Sequence, residues 1–165
     1  MNFVELDIYN KEQKNKFKSL LEEYLKEIFN NDISIVINDE LVNESFSEII
    51  SDLESDYSNW VYLSYKKDVP VGFVIAQIDD IGGKWCLKPG YGLIREIFID
   101  KNHRRKGYGK EMYEFIEKTL KREKVKKLYL TTDTVDGIEF WQGQGYKFTG
   151  EICNLNNSGI YEKLI

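Results

Sequence analysis

The stretch Ile94 to Leu120, IREIFIDKNHRRKGYGKEMYEFIEKTL, constrains the fold of this chain more than any other. Ile94, Ile97, Phe98 and Ile99 supply the β-branched and aromatic bulk of a buried strand. A basic loop follows, Arg104-Arg105-Lys106-Gly107-Tyr108-Gly109. Met112, Phe115, Ile116, Thr119 and Leu120 then recur at helical spacing, which starts a helix at or just after Gly109. A helix N-terminus carries unpaired N–H groups and a partial positive charge. Two glycines let the backbone take φ > 0 and approach a ligand closely. Strand, loop and helix together make a cradle for an anion, most naturally a phosphate. The competing reading is a basic surface turn that caps a helix.

Spacing excludes two well-known phosphate loops. A Walker loop needs a glycine five residues before its Gly-Lys pair; that position is Arg104, and neither Ser nor Thr follows Lys110. A dinucleotide fingerprint needs a third small residue three after Gly109, where Met112 stands. What remains is Arg-x-x-Gly-x-Gly between a strand and a helix.

The charge distribution bears on the ligand. Residues 1–56 hold 5 Lys/Arg against 14 Asp/Glu, a net of −9, whereas residues 101–127 hold 11 against 4, a net of +7, in a chain of net charge −5. A positive block around a phosphate loop in an acidic protein suits a small polyanion. It also raises a nucleic-acid partner, which the overall acidity and the lack of a nucleic-acid motif disfavour. Most lysines between Lys118 and Lys127 read as a solvated helix face and turn. The 165 residues, 42% hydrophobic and 31% charged, suit one globular domain over residues 1–165. The acidic start lacks the apolar core of a secretory signal, and no apolar run is long enough to span a membrane, so a cytoplasmic protein without membrane association is expected. Cys86 and Cys153 have neither metal-ligand spacing nor a disulfide framework, and the single histidine, His103, reads as a solvated loop residue, so no metal site is expected.

Periodicity orders the rest. Phe3–Ile8 alternates as a strand. An Asn10-x-x-Gln13 capping pattern opens a helix over 11–29 that carries Phe17, Leu20, Leu21, Tyr24, Leu25 and Ile28. Residues 31–40 are turn-rich around an apolar patch from Ile33 to Ile37, and a second helix covers 41–55. Val61–Tyr65 and Val69–Ile78 pair as a hairpin through Lys66-Lys67-Asp68, and 79–91 is a glycine-rich connection carrying Trp85. After the central unit come a strand at Lys127–Thr132 whose Leu128 and Leu130 face the core, a short helix at Val135–Gln142, and a hairpin of Tyr146–Ile152 with Ile160–Leu164. The order β-α-α-β-β-β-α-β-α-β-β predicts an α/β fold with a mixed central sheet and helices on both faces.

The Arg-x-x-Gly-x-Gly loop resembles the acetyl-coenzyme A loop of the GNAT superfamily of N-acetyltransferases, whose pattern is Gln/Arg-x-x-Gly-x-Gly/Ala. The element order is similar to the GNAT fold along essentially the whole chain. Ile138 to Tyr146, IEFWQGQGY, resembles the family's Ala-x-x-Phe-Tyr/Trp-x-x-x-Gly-Phe stretch, and Ile160 to Leu164 its usual final strand.

This resemblance implies acetyl-coenzyme A as co-substrate and an amine as acceptor. The backbone of Ile97 and Ile99 then pairs with the pantetheine arm as an added strand, freed by a splay or bulge. A nearby N–H, chiefly that of Ile97, holds the developing oxyanion. The N–H groups of Arg105, Lys106, Gly107, Tyr108, Gly109 and Lys110 take the pyrophosphate, with charge from Arg104 and Arg105. An alkylamine with a pKa near ~10.4 is neutral in roughly one molecule in 2,500 at pH 7, so a base must take its proton. Glu96 is the candidate: it lies eight residues before Arg104, where several small-amine acetyltransferases carry an acid, and its apolar neighbours favour a raised pKa. The structural alternative pairs it with its neighbour or a cross-strand cation, such as Arg95 opposite an acid.

Two departures from the family pattern matter. Trp141 stands where many relatives place the tyrosine that protonates the leaving thiolate, and an indole N–H is no useful acid. Trp141 therefore counts as a wall of the thioester arm, and the thiolate is left to depart unassisted or to be protonated by water or by one of Tyr108, Tyr113 and Tyr146. Thr134 stands where relatives often have a cofactor-contacting Asn. The expected function is an N-acetyltransferase acting on a primary amine of a small cationic molecule, a lysine or an N-terminus. The alternatives are a non-catalytic acyl-coenzyme A sensor on the same fold and a nucleic-acid-binding module. Homodimers are common in the family.

Overall fold

The first helix begins where its cap can form. The Asn10 side chain accepts from the backbone N–H groups of Glu12 and Gln13 at 3.0 and 3.1 Å, satisfying donors that a first turn leaves unpaired. Gln13 does not return the bond to its cap residue; its Oε1 accepts from Asp7 N–H at 2.9 Å and ties down the incoming chain.

The computed structural model describes residues 1–30, 35–55, 58–81 and 87–165. Ile33 and Ser34 of the expected apolar patch, and residues 82–86 of the glycine-rich connection with Trp85, fall outside these. In chain order the elements are β1 (Asn2–Glu5), α1 (Lys11–Ile28), α2 (Asp39–Glu54), β2 (Asn59–Lys66), β3 (Val69–Ile78), β4 (Gly92–Ile99), α3 (Tyr108–Arg122), β5 (Lys127–Thr132), α4 (Val135–Gly143), β6 (Lys147–Ile152) and β7 (Gly159–Leu164). This is the order expected from the sequence. The differences are local. β1 stops three residues short of Ile8, because Tyr9 N–H turns back to Asp7 Oδ1 at 2.9 Å. α2 starts two residues early, because Asn38 accepts from Leu41 N–H at 2.9 Å. α3 starts at Tyr108, with Gly107 as its cap, and a 3-10 turn at Lys101–His103 precedes it.

Among the described residues, seven strands form one mixed sheet in the order β1-β2-β3-β4-β5-β7-β6. Only the β4–β5 pair is parallel. The faces bury different helices. Phe17, Leu21 and Leu25 of α1, with Val42 and Ile49 of α2, cover Leu63, Phe73, Ile75 and Phe98. Met112, Ile116 and Leu120 of α3 cover Val74, Ile94, Leu128 and Leu130 on the opposite face. Each such side chain contributes about 1.5–3 kcal/mol when fully buried. Tyr129, between Leu128 and Leu130, faces the other way into a smaller cluster with Leu93, Cys153 and Ile160, so β5 is buried on both sides. Gly72 is required where β3 and β4 meet: a Cβ there would overlap the Phe98 carbonyl oxygen. Among the described residues no helix is long and apolar enough to cross a membrane.

Candidate active site

β4 and β5 pair only at Gly92 with Leu128 and Leu93 with Tyr129. Beyond that point β4 follows β3 as far as the Ile99–Gly72 pair, while β5 follows β7 as far as Thr132–Gly159. A wedge therefore opens between two parallel strands toward their carboxyl ends, the usual place for a ligand in an open α/β sheet. Asp100 N–H donates to Val71 O at 2.9 Å on the β3 side. Strand alternation then turns the backbone groups of Ile97 and Ile99 the other way, into the wedge. The Ile99 carbonyl already accepts from Arg104 Nε at 2.7 Å, which leaves both backbone groups of Ile97 and the N–H of Ile99 facing the gap.

The glycine loop stands at the mouth of the wedge. Gly107 lies at φ +82° and Arg105 at φ +59°, both left-handed. Such turns gather successive N–H groups around a concavity suited to an anion. A Cβ on Gly107 would meet nothing within 4 Å, so the glycine is needed for its φ and leaves the backbone open to approach. Gly109, in the first turn of α3, is backed by the Phe140 ring of α4, 3.6 Å from where its Cβ would stand. Thr134 caps α4, its hydroxyl accepting from Gly137 N–H at 3.2 Å.

The loop's side chains are mostly engaged within the protein. Arg104 makes a two-pronged ion pair with Glu27 of α1 at 2.6 and 2.7 Å and lies over the Phe98 ring. Lys106 donates to Asn102 O at 2.8 Å, Lys110 sits 3.8 Å from Glu114, and Tyr108 lies beneath Lys66. Arg105 is exposed and makes no ion pair among the described residues. Further along, Lys121 pairs with Glu117 at 2.8 Å and Lys127 donates to the Tyr91 hydroxyl at 2.9 Å. Five of the eleven cations of the +7 block are thus engaged by partners within the protein.

Glu96 reaches the wall of the wedge through a β-bulge. Ile75 faces Glu96 and Ala76 faces Ile94, so Arg95 is an extra residue in β4. Arg95 and Glu96 both project toward α1 and α2. Arg95 binds Asp52 of α2 at 2.6 Å, and Glu96 Oε2 accepts from the Tyr24 hydroxyl of α1. Burial pushes the Glu96 carboxyl up to about 7, against the opposing pull of the Tyr24 bond and the Arg95 charge. Sequence reasoning took Tyr24 as one more apolar position of α1 and missed this contact; the signal was a polar-tipped aromatic in an otherwise hydrocarbon stripe.

Trp141 is 7% exposed and packs against Tyr113, Tyr146 and Phe140, with ring centroids at 5.6, 5.3 and 4.9 Å. Tyr113, 1% exposed, donates to Glu117 and accepts from Lys163 Nζ at 2.9 Å. Burial opposes the charge of Glu117, yet Lys121, Lys163 and Tyr113 hold its pKa at about 2. The Tyr146 hydroxyl is buried beside that of Tyr113 and makes no hydrogen bond of ordinary geometry among the described residues. Two of the three candidate tyrosines thus have their hydroxyls in the core beneath α3.

Sequence reasoning also missed Asp79. This residue, 2% exposed, accepts from Leu87 N–H at 2.9 Å, Lys88 N–H at 2.8 Å, Tyr129 Oη at 2.6 Å and Gln77 Nε2 at 3.0 Å. It pins the chain leading into β4 against the sheet.

Known proteins share this arrangement. The profile of the acetyltransferase (GNAT) family matches residues 17–146. The uncharacterized N-acetyltransferase YjcF of Bacillus subtilis (strain 168) is 27% identical over 130 residues, covering 79% of this chain and 83% of that protein. The PaiA N-acetyltransferase of Thermoplasma acidophilum, crystallised with coenzyme A, superposes with a TM-score of 0.71 over the full length of both chains at 14% identity. An aminoglycoside 6'-N-acetyltransferase, also crystallised with coenzyme A, superposes at 0.72 over 99% of this chain and 97% of that one, at 18% identity. These superpositions are likenesses of fold. The family profile covers most of the chain, including the split sheet and the glycine loop at its mouth, and on that match the chain belongs to the acetyltransferase (GNAT) family.

Proposed function

We propose that this acetyltransferase transfers the acetyl group of acetyl-coenzyme A to a primary amine, with Glu96 as the base that takes the amine proton. The observation that carries the reading is Glu96 on the wall of the β4–β5 wedge, with the left-handed glycine loop at its mouth. The residues present fit the co-substrate. The backbone groups of Ile97 and the N–H of Ile99 offer amide partners to an extended arm. The N–H groups of Arg105 to Lys110 form the anion cradle, and exposed Arg105 adds charge. Arg104 acts less directly, by capping Ile99 and fixing the loop to α1. Trp141 stiffens the α4 side from within the core.

Acetyl-coenzyme A supplies an acyl carbon that an uncharged amine can attack. Glu96 supplies the uncharged amine by accepting one ammonium proton before the nitrogen attacks; the new C–N bond then forms as the thioester C–S bond gives way, and the second amine proton is released toward the departing thiolate. The Ile97 N–H, pointing into the gap, suits the negative charge that builds on the acyl oxygen. With the Tyr113 and Tyr146 hydroxyls in the core, water or the half-buried Tyr108 hydroxyl of the loop is left to pass that second amine proton to the departing thiolate.

The acidic first third of the chain, of which α1 and α2 form the Glu96 side of the wedge, favours a cationic acceptor. The test is free-thiol release from acetyl-coenzyme A with a polyamine, an aminoglycoside and a lysine peptide. Turnover with any of them above the no-amine background supports the reading. Coenzyme A binding without turnover on any amine favours the acyl-coenzyme A sensor, the second reading, which the buried indole at position 141 keeps in play.

A further inference from the structure

We propose that Tyr24 is the positioning residue of Glu96: its hydroxyl holds one carboxylate oxygen from across the cleft and leaves the other to receive the acceptor's proton. This rests on Glu96 being the base. The two residues are 72 positions apart and meet because α1 lies across β4.

The geometry makes Tyr24 a fixed donor. Its ring packs edge-on against Phe73 and Phe98, centroids 5.7 Å from each and inclined at 86° and 63°. A ring held on two sides cannot turn its hydroxyl elsewhere without opening the α1–sheet contact. Burial pushes the Tyr24 hydroxyl well above its ordinary range, with Glu96 reinforcing the shift, so the group keeps its proton and remains a donor at any working pH. The bulge at Arg95 is the other half of the arrangement. With regular alternation Glu96 would lie on the face of Ile94, under α3, out of reach of α1.

The surroundings leave Tyr24 as the hydrogen-bond donor that orients the carboxylate. β3 offers apolar Ile75 opposite Glu96. From β4, Arg95 acts on Glu96 as a nearby charge while its guanidinium binds Asp52 of α2. From α1, Glu27 is near Tyr24 and is paired with Arg104. A carboxyl bound at one oxygen has one productive orientation, and the bond favours its charged, basic form.

The experiment compares Tyr24→Phe, Glu96→Gln and the double variant. The Glu96 carboxyl is titrated by carbon NMR on glutamate-labelled protein, Glu96→Gln identifying its resonance. Turnover uses acetyl-coenzyme A with the best amine of the panel above. Tyr24→Phe keeps the ring, so the fold and acetyl-coenzyme A affinity should be retained. Its titration midpoint should rise by about 0.5–1 pH unit and kcat should fall about 5- to 50-fold at neutral pH. The double variant should be no slower than Glu96→Gln alone, since Tyr24 acts through the carboxylate. An unmoved midpoint in Tyr24→Phe, with Glu96→Gln strongly impaired, overturns the positioning role and leaves the base in place. Full turnover in Glu96→Gln overturns the base, and the role of Tyr24 with it.

Discussion

Arg95 and Glu96 are consecutive in β4, yet both side chains leave the sheet on the same side, one bound to Asp52 and the other to Tyr24. A regular strand would place them on opposite faces. The bulge that brings them together follows directly on the last β4–β5 pair, Leu93 with Tyr129, so it sets the carboxylate on the stretch of β4 that borders the wedge.

The first consequence is kinetic. With Glu96 near 7, the base form grows as pH rises through neutrality, so kcat/KM should climb through an acid limb centred at about 7. Glu96→Gln should lower the rate at pH 7 by about 10²–10⁴-fold. The deficit should narrow toward pH 10, where more of the amine is already neutral. A pH–rate profile of both proteins measures this, and equal profiles would refute the role.

The second is thermodynamic and has the opposite sign. The folded pKa of Glu96 lies above the ordinary 4.5, so folding favours the protonated form. That contribution is fully present below about pH 4.5 and is lost as pH rises through 7. Relative to wild type, Glu96→Gln should therefore gain stability between pH 5 and 8, by about 2–3 kcal/mol at the upper end. Thermal melts of both proteins at pH 4.5 and 8 give the difference directly. A gain independent of pH would contradict the buried-carboxylate account.

The third concerns the loop. Gly107→Val forces a β-branched residue to φ +82°, at a strain of about 1–3 kcal/mol, although no neighbouring atom blocks the side chain. The protein should fold, while the cradle changes shape and its mouth narrows. Calorimetry should show coenzyme A affinity at least about tenfold weaker. Unchanged affinity in the folded variant would remove Gly107 from the cofactor site.

The fourth separates packing from chemistry beneath α3. Tyr146→Phe deletes a buried hydroxyl that meets only the neighbouring Tyr113 hydroxyl, in poor hydrogen-bond geometry, so it should cost less than about 1 kcal/mol and leave turnover intact. Tyr113→Phe breaks a bonded group, leaving Lys163 and Glu117 short of a partner, and should cost about 1–3 kcal/mol. Trp141→Phe should cost a similar amount through the cavity it leaves, with kcat near wild type. A hundredfold loss of kcat in either tyrosine variant, with coenzyme A affinity intact, would identify the thiolate's acid and displace water from that role.

The fifth tests the anchor of the 79–91 connection. Asp79→Ala removes the carboxylate that accepts from two backbone N–H groups and from the Tyr129 hydroxyl, and should cost about 2–4 kcal/mol. In a domain of this size that lowers Tm by about 5–15 °C. A Tm within about 2 °C of wild type would show that other contacts hold the connection.

The order of strands and helices and the glycine cradle could be read from the sequence because their causes are local. Periods of 2.0 and 3.6 residues declare strand and helix, Asn10 declares its own cap, and Gly107 declares a left-handed turn through the few residues around it. Glu96 was legible as a carboxylate among apolar neighbours. Its environment was not, because Tyr24 lies 72 residues away and reaches it only once α1 has packed on the sheet. Arg104 read as a source of charge for the phosphate; its ion pair with Glu27, 77 residues distant and within 2.7 Å, was not legible. Trp141 read as a wall of the thioester arm, and its ring contacts with Tyr113 and Tyr146 were not legible. The sequence by itself determined which backbone forms where, since each residue's conformational preference depends on its near neighbours. Only the tertiary structure decided the bulge at Arg95, the partners of each charge and the pKa of Glu96, because register, contact and desolvation belong to surfaces that meet across the core.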